Sequence, residues 1–387
     1  MNRKKICVVV ASRANYGRIK ATMQAIQNHP LLDLQLVVGA SALLQRYGKA
    51  VDFIERDGFQ INSKVYMVIE GENPSTMAKS TGLAIIELAT IFENLKPDVV
   101  LTVADRYETL ATAVAASYMN IPLAHTQGGE VTGSIDESVR HAITKLAHIH
   151  FPTTELSAKR LIQMGEDSTN IFIVGCPSID AIQYLPLTIH PEFVSTYARK
   201  GVGSSIDFSQ PYLLVLQHPV TTEFGHGTEQ INETLEAISQ INMPTVWLWP
   251  NIDAGSDDIS KAIRTFRESG RAQHIHFYIN FPVEDYAILL NNCACIIGNS
   301  SSGIREGSFL GVPAVNIGTR QSGRERGANV MDVNYNRTEI YDAIRKQLAF
   351  GRYPQENLYG DGTASDKIAD ILANNTFAIN KTFNDIG

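Results

Sequence analysis

Short apolar runs alternate with amphipathic stretches along almost the whole chain, and this alternation constrains the fold more than any other feature of the sequence. In the first half, the runs with strand character lie at residues 6–11, 34–38, 65–69, 98–103, 123–126, 149–152 and 171–174. In the second half, they lie at residues 212–217, 245–249, 274–279, 294–297, 314–317 and 330–333. Strands that alternate with helical stretches are typical of a doubly wound parallel sheet. We therefore predict an α/β fold.

A break rich in Gly, Ser and Pro at residues 201–211 lies between the two series of strands. A chain of 387 residues is long enough for two domains. We predict an N-terminal Rossmann-like domain over residues 1–178 and a C-terminal Rossmann-like domain over residues 179–365. A terminal helix within residues 366–387 is expected to pack back on the first domain. Two such domains would leave a cleft at the carboxyl ends of their strands, where α/β sheets bind ligands.

Charge and cysteine content exclude several classes of function. The net charge is −7 and the isoelectric point about 5.8, so no basic face for nucleic acid is expected. The four cysteines lack a pattern of metal ligands, and we interpret them as free thiols in a reducing compartment. The apolar run after Lys5 is too short for a signal peptide or a membrane span. We expect a cytoplasmic protein without a membrane partner.

The stretch GNSSSG at residues 298–303 follows a predicted buried strand and precedes a predicted helix. Such a turn offers backbone N–H groups and a helix dipole to an anion, with Ser300 and Ser301 as candidate phosphate ligands. An ordinary helix N-cap is the alternative interpretation. Glu306 could accept hydrogen bonds from ribose hydroxyls, and Arg320 could bind phosphate. These residues predict a nucleoside diphosphate site in the second half.

The first half supplies the candidate acids Asp105, Glu130 and Asp136, with Arg140 one helical turn after Asp136. Carboxylates that converge on a cleft suit proton transfer, because burial and mutual repulsion separate their pKa values. The alternatives are that Asp136 only favours a helix N-terminus and that Asp105 only pairs with a neighbouring arginine. Polar candidates also follow other predicted strands, and these are Arg13, Arg106, Gln127, His218 and Asn251.

Two common nucleotide-binding fingerprints are absent from the sequence. No G-x-G-x-x-G follows the first strand, and no G-x-x-x-x-G-K-[ST] occurs anywhere. Neither a dinucleotide dehydrogenase nor a P-loop enzyme is therefore indicated. We expect no cofactor and no metal.

Eight short motifs occur in one order from about residue 5 to residue 375. They are SRANYG at 12–17, ADRYE at 104–108, HTQGGE at 125–130, IDESVRHAITKL at 135–146, QHPVTT at 217–222, PNIDAGS at 250–256, GNSSSG at 298–303 and GTRQ at 318–321. The set resembles the hydrolysing UDP-N-acetylglucosamine 2-epimerases, including the bacterial sialic-acid and legionaminic-acid enzymes and the epimerase half of the bifunctional animal enzyme.

The resemblance implies a fold like that of the two-domain B-type (GT-B) glycosyltransferases and a homodimer or homotetramer. It implies that a base removes the C2 proton of a UDP- or GDP-linked N-acetylated sugar. The nucleoside diphosphate leaves C1 by anti elimination, and water then adds to the glycal to give the free 2-epimer.

By motif, Asp105 and Asp136 match catalytic acids of the family. Residues that match substrate contacts are Arg13, Arg106, Arg140, His218, Asn251, Ser300, Ser301, Glu306 and Arg320. One position departs, because many members carry Glu where this chain has Gln127. Glutamine cannot transfer a proton at neutral pH. We therefore expect Glu130 to share the proton transfer and Gln127 to bind the sugar.

Three other functions stay open at this point. A GT-B glycosyltransferase would need an acceptor site, for which we see no signal in the sequence. A non-hydrolysing 2-epimerase would keep its product linked to the nucleotide. A sensor that binds nucleotide sugars without turnover is compatible with Gln127. The sequence does not choose between N-acetylglucosamine and diacetylbacillosamine as the sugar.

Overall fold

The computed structural model of the protein describes residues 3–71, 73–250, 253–382 and 384–385. The chain divides into two compact units. The first comprises Met1–Val131, Ile135–Tyr184 and Tyr359–Gly387, and the second comprises Thr132–Ser134 and Leu185–Leu358. Within the described ranges, no helix combines the length and the apolar character that crossing a bilayer requires.

The first unit contains a six-stranded parallel sheet flanked by helices. Its strands are β1 (Lys4–Val10), β2 (Leu32–Gly39), β3 (Ile61–Val65), β4 (Val99–Val103), β5 (Leu123–Thr126) and β6 (Ile149–Phe151). Its helices before the chain leaves the unit are α1 (Arg13–Asn28), α2 (Ala50–Arg56), α3 (Pro74–Leu95), α4 (Tyr107–Tyr118), α5 (Ile135–Leu146), α6 (Glu155–Gln163) and α7 (Pro177–Gln183). The strand order β3-β2-β1-β4-β5-β6 is that of the Rossmann fold.

The second unit repeats this topology. Its strands are β7 (Val202–Gly203), β8 (Leu213–Leu216), β9 (Thr245–Leu248), β10 (Ile275–Tyr278), β11 (Cys295–Gly298), β12 (Ala314–Ile317) and β13 (Val330–Val333). Its helices are α8 (Pro191–Tyr197), α9 (Gly227–Ile241), α10 (Ser256–Glu268), α11 (Val283–Asn292), α12 (Glu306–Leu310) and α13 (Arg337–Phe350). The order β13-β12-β11-β8-β9-β10-β7 is the Rossmann order with one added edge strand, β7, which pairs antiparallel with β10. The predicted α/β class with two Rossmann-like domains is confirmed.

The final helix, α14 (Ala364–Asn374), belongs to the first unit. The chain after it stays on that unit, because the Lys381 ammonium donates to the carbonyl oxygens of Thr144 and Ala147 at 2.9 and 2.6 Å. Thr144 lies in the last turn of α5 and Ala147 directly follows the helix, so the lysine caps its C-terminal end. The same ammonium lies 2.5 Å from the buried Glu166 carboxylate.

Three predicted elements differ from the observed ones. The strand predicted at residues 65–69 is β3 at Ile61–Val65, so the two ranges share only Val65. Residues 171–174 form only an isolated bridge, in which Ile171 pairs with His150 at the sheet edge. The predicted linker at 201–211 contains the edge strand β7, whose Gly203 is at φ 126°. Local apolar content cannot separate a strand from a buried extended segment, and an edge strand of this kind is too short to leave a pattern.

The sheets are buried because their strands carry apolar side chains on both faces. All five residues of β4 are buried, as are all four of β8 and all four of β11. Helices cover them with apolar stripes, as in α3, where Ala84, Leu88 and Phe92 recur every fourth residue and face the core. Polar residues are thereby left to the loops at the strand ends.

Candidate active site

Several of the predicted site residues follow strands at the two points where strand order reverses. In the first unit the reversal lies between β1 and β4, which are followed by Arg13 and by Asp105 with Arg106. In the second unit it lies between β8 and β11, which are followed by His218 and by Ser300. Open α/β sheets bind ligands at such switch points. Each unit therefore carries polar side chains where its topology favours a ligand.

Arg140 joins two of the candidate acids in the first unit. Its Nη2 forms a buried ion pair with the Asp105 carboxylate, and its Nη1 donates to the Glu130 carbonyl oxygen at 2.9 Å. The Arg140 side chain has no exposed area. The sequence indicated Arg140 as a substrate contact, whereas these bonds go to protein groups. Its placement favours a role in holding Asp105 and Glu130.

The other two acids have different surroundings. The Glu130 carboxylate accepts a hydrogen bond from Thr153 Oγ1 at 2.9 Å, and the residue is only 2% exposed. Asp136 lies in the first turn of α5 and is partly exposed. The first-turn position fits the alternative interpretation that Asp136 favours the helix N-terminus. Glu130 is therefore the buried acid of the two, and Asp136 is the one partly open to solvent.

Arg106 pairs with a carboxylate two residues further along the chain. Its Nε and Nη2 donate to the two oxygens of the Glu108 carboxylate at 3.1 and 3.2 Å, and both residues are buried. Such a two-point pair fixes the plane of a guanidinium. Arg13 lies in the first turn of α1 and is partly exposed. Arg13 and Arg106 thus follow the two strands that flank the switch point of this unit.

Gln127 lies in the protein interior. It has no exposed area, and its Nε2 donates to the Cys176 sulfur at 3.4 Å. Its backbone is in the left-handed region at φ 63°, where the loop leaves β5. The next turn needs glycine, because a Cβ on Gly129 would lie 2.1 Å from the Ser157 carbonyl oxygen. This placement favours a role for Gln127 in the loop rather than at a sugar.

Asn299 fixes the backbone of His218 in the second unit. Its Oδ1 accepts from the His218 N–H and its Nδ2 donates to the His218 carbonyl, both at 2.8 Å. Asn299 is fully buried and His218 nearly so. Just before it, Gly298 has φ 125°, and a Cβ there would lie 2.0 Å from the Leu216 carbonyl oxygen. The close approach of β8 and β11 therefore requires glycine at 298 and places Asn299 against His218.

The helix predicted after the GNSSSG stretch is present but short. Residues Ser301–Gly303 form a single 3₁₀ turn, and α12 has only five residues. The Ser300 hydroxyl caps this turn by accepting from the Ser302 N–H at 3.3 Å. A helix of five residues supplies only a weak dipole. What the loop offers an anion is its hydroxyl and N–H groups, with Ser300 more exposed than Ser301.

Two further predicted contacts lie around this loop. Arg320 Nη1 donates to the Asn299 carbonyl at 3.2 Å, which ties the loop after β12 to the loop after β11. Glu306 is partly buried, and its Oε2 has no hydrogen-bond partner among the residues that the structure describes. A buried carboxylate oxygen of this kind is suited to accept from a ligand hydroxyl. Asn251 lies outside the described residues.

Comparison with known proteins decides the family. The sequence profile of the UDP-N-acetylglucosamine 2-epimerase family matches residues 24–373. The chain belongs to this family. Its similarity to a Legionella pneumophila UDP-N,N'-diacetylbacillosamine 2-epimerase (hydrolyzing) is 34% identity and covers 95% of each chain. The family resemblance predicted from the motifs is confirmed.

Two other epimerases extend the comparison. A GDP/UDP-N,N'-diacetylbacillosamine 2-epimerase (hydrolyzing) from Campylobacter jejuni is 31% identical and is matched over 87% of this chain and 86% of its own. The crystal structure of the UDP-GlcNAc 2-epimerase from Neisseria meningitidis bound to UDP-GlcNAc superposes with a TM-score of 0.78 at 20% identity. That superposition covers 96% of this family member and 100% of the Neisseria chain, and it shows the shared fold.

Sequence reasoning missed Asn299 and Glu108 as residues that hold site groups of this epimerase-family chain. Asn299 was visible only as part of a donor-rich turn, because its partner His218 lies 81 residues away. The pairing of Glu108 could have been predicted from the sequence, because Glu108 lies two residues after Arg106 at the start of α4. Among the described residues, no group of three or more His, Cys, Asp or Glu side chains is arranged to hold a metal ion.

Proposed function

We propose that this chain is a hydrolysing 2-epimerase that converts a UDP- or GDP-linked N-acetylated hexosamine into the free 2-epimer and the nucleoside diphosphate. The observation that carries the proposal is the 34% identity, over 95% of both chains, to a Legionella enzyme of that activity. The product would be N-acetylmannosamine or 2,4-diacetamido-2,4,6-trideoxymannose, a precursor for nonulosonic acids such as sialic and legionaminic acid. The site geometry supports this function through an acid cluster in one unit and an anion-binding loop in the other.

The reaction needs one proton removed and one leaving group stabilised. A base takes the C2 proton, the C2–H electron pair forms the C1–C2 double bond, and the C1–O bond breaks with its electrons on the diphosphate. Water then adds its oxygen to C1 of the glycal, and a proton reaches C2 on the opposite face. Carboxylates suit the proton steps, and positive or N–H-rich groups suit the departing diphosphate.

The first unit supplies the proton-transfer groups in this proposal. Asp105 is kept ionised by the Arg140 guanidinium, because an opposite charge stabilises the charged form of a carboxyl group. Glu130 is the buried carboxyl group best suited to carry a proton, and Asp136 is the more exposed acid. Arg13 and Arg106 are assigned to substrate binding. Arg140 and Gln127 are assigned to contacts with other protein groups rather than with the substrate.

The second unit binds the nucleotide in this proposal. Ser300, Ser301, Arg320 and His218 are assigned to the diphosphate, since hydroxyl, guanidinium and imidazole groups donate to phosphate oxygens. The unpartnered Oε2 of Glu306 is assigned to ribose hydroxyls. Asn251 is proposed as a further substrate contact from its motif alone. The assigned contacts involve the diphosphate and the ribose and not the base, so both nucleotides remain to be tested.

We further propose a cytoplasmic homodimer or homotetramer. Cys7, Cys176, Cys293 and Cys295 are all buried and unbridged, which suits a reducing compartment. Ile86 on α3 and Tyr118 on α4 are 66% and 87% exposed on two helices that pack together. Large exposed apolar side chains support an interface on this face. Sedimentation velocity of the wild type and of the Ile86→Glu, Tyr118→Glu variant tests it.

One assay in deuterated water tests the function. The purified chain is incubated with UDP-N-acetylglucosamine, with UDP-N,N'-diacetylbacillosamine and with the GDP form of the latter, and products are followed by proton and phosphorus NMR. We expect equal amounts of nucleoside diphosphate and a free 2-epimer with deuterium at C2. The Asp105→Asn variant is the inactive control. A nucleotide-linked epimer would indicate the non-hydrolysing reaction, and no turnover of any donor would reject the proposal.

A further inference from the structure

Two non-glycine residues adopt left-handed backbone conformations at neighbouring strand ends of the first unit. Ala104 follows β4 at φ 62°, and Gln127 follows β5 at φ 63°. Ala104 directly precedes Asp105. Side chains with a Cβ disfavour this conformation, and it persists only where the surrounding structure holds it in place. The orientation of Asp105 therefore depends on whatever holds the Ala104 peptide.

His125 is the side chain that holds it. The ring lies on β5 with no exposed area, and its Nε2 is 2.7 Å from the Ala104 carbonyl oxygen. Burial lowers the pKa of His125 to about 3, against the opposing effect of the hydrogen bond with Ala104. The ring is therefore neutral at physiological pH and has a single N–H. Because a carbonyl oxygen can only accept, that N–H is on Nε2.

The other ring nitrogen connects to the helix that carries Arg140. His125 Nδ1 lies 3.4 Å from the Thr144 hydroxyl, which is free to donate to it. Thr144 is one turn after Arg140 on α5. Asp105 is thus held twice, through its carboxylate by Arg140 of α5 and through the preceding carbonyl by His125 of β5, whose ring Thr144 of α5 contacts.

The glycine loop packs on the same ring. A Cβ on Gly128 would lie 3.1 Å from His125 Nδ1 and 3.2 Å from Thr144 Oγ1. This is tighter than ordinary side-chain contact, so the loop that leads to Glu130 has no room to shift toward the ring. The histidine therefore lies against the carbonyl that precedes Asp105 and against Gly128, two residues before Glu130, and its side chain has no exposed area.

We propose that His125 is a positioning residue, which fixes the left-handed peptide before Asp105 and thereby sets the direction of the Asp105 carboxylate. The effect on turnover in this inference rests on the proposed function. The effect on the Asp105 backbone rests on the geometry alone. His125 takes no part in proton transfer here. Its effect on turnover passes through Asp105.

Three variants test the proposal. His125→Phe keeps an aromatic ring at this position but removes both ring nitrogens. His125→Gln replaces the Nε2–H donor with an amide N–H at similar reach. We expect His125→Phe to lower kcat roughly 10- to 100-fold, because a small misplacement of a reacting group costs about that much. KM and the affinity for UDP should stay within about twofold of wild type, since the nucleotide groups lie on other elements. His125→Gln should recover most of the kcat, and Thr144→Val should fall between the two.

Hydrogen–deuterium exchange gives a readout that does not require activity. The peptide that covers residues 99–107 should exchange faster in His125→Phe and return toward wild type in His125→Gln. Unchanged kcat and unchanged exchange in His125→Phe would overturn the proposal, as would equal losses in the Phe and Gln variants. If the wild type turns over no donor, the proposed function fails, and the exchange experiment still decides the role of His125.

Discussion

Arg140 pairs with Asp105 inside the first unit, and the same guanidinium donates to the Glu130 backbone. A buried ion pair of this kind is a weak source of net stability, but removing one partner leaves an uncompensated charge. We expect Arg140→Met to lower the free energy of unfolding by about 3–5 kcal/mol, as measured by urea denaturation. Asp105→Asn in the same chain should restore much of the loss. A double variant as unstable as Arg140→Met alone would contradict the pairing.

Asn299 should control nucleotide affinity without contacting the proton-transfer groups. Asn299→Ala leaves the His218 N–H and carbonyl unsatisfied, which costs about 1–3 kcal/mol for each buried group left unpaired. We expect UDP affinity measured by calorimetry to fall about tenfold or more, because 1.4 kcal/mol corresponds to a factor of ten. Asn292→Ala is the matched control, since its amide donates to the Leu187 carbonyl at 2.7 Å on another side of the unit. Equal affinities in both variants would reject the role of Asn299.

Glu130→Gln tests whether this buried carboxyl group carries a proton. The substitution keeps the size and an oxygen that can accept from Thr153 Oγ1, so the fold should tolerate it. We expect kcat to fall about 100-fold or more, within the range for loss of general acid or base catalysis. KM should change little. Turnover near wild type at saturating donor would assign the proton transfer to Asp105 and Asp136 alone.

Gln127→Glu tests whether a carboxyl group at this position can take part in the reaction, since the family resemblance implies Glu there. The Gln127 amide is fully buried beside the Cys176 sulfur, where a carboxylate would lose a donor and gain a desolvation cost. We expect a lower melting temperature by scanning calorimetry and no gain in kcat. Gln163→Glu at the end of α6, outside the buried set, serves as control. A rise in kcat would show that Gln127 does reach the substrate.

Glu166 should make the stability of the protein depend on acid pH. Burial opposes its ionisation, but hydrogen bonds from His150, Lys145 and Lys381 outweigh that effect and lower its pKa from 4.5 to about 2. A carboxyl group with a lowered pKa stabilises the fold above its unfolded-state value, and this contribution is lost as the pH falls from 4.5 toward 2. We expect Glu166→Gln to melt at a lower temperature at pH 7.

The same variant should lose less stability than wild type between pH 4.5 and pH 3. Melting temperature as a function of pH measures this, with Glu55→Gln as control, because Glu55 forms only an exposed pair with Lys64. The lowered pKa of His125 adds a loss in the same direction, between its ordinary value of 6.5 and about 3. Parallel pH curves for wild type and Glu166→Gln would contradict the assignment.

The sequence predicted the sheets well because each buried strand is a short apolar run, as β4 and β8 are. It also placed the site residues at strand ends, where topology brings them together. It could not predict which side chains form ion pairs and hydrogen bonds with one another. The alternative interpretation of Asp105 paired it with a neighbouring arginine, whereas the structure pairs it with Arg140, 35 residues away, and pairs Arg106 with Glu108. Side-chain direction in a buried loop depends on packing, which spacing along the chain does not encode.

The first unit is interrupted in sequence yet closed in structure. The Cys176 N–H donates to the Tyr359 carbonyl at 2.7 Å, and α14 packs on α1, so the chain returns close to where it left. In genetic terms, Leu185–Leu358 is an insertion in a host domain whose two ends are already joined by hydrogen bonds. A short linker from Tyr184 to Tyr359 would make the host continuous. The acid cluster would then stand in a chain that lacks Leu185–Leu358.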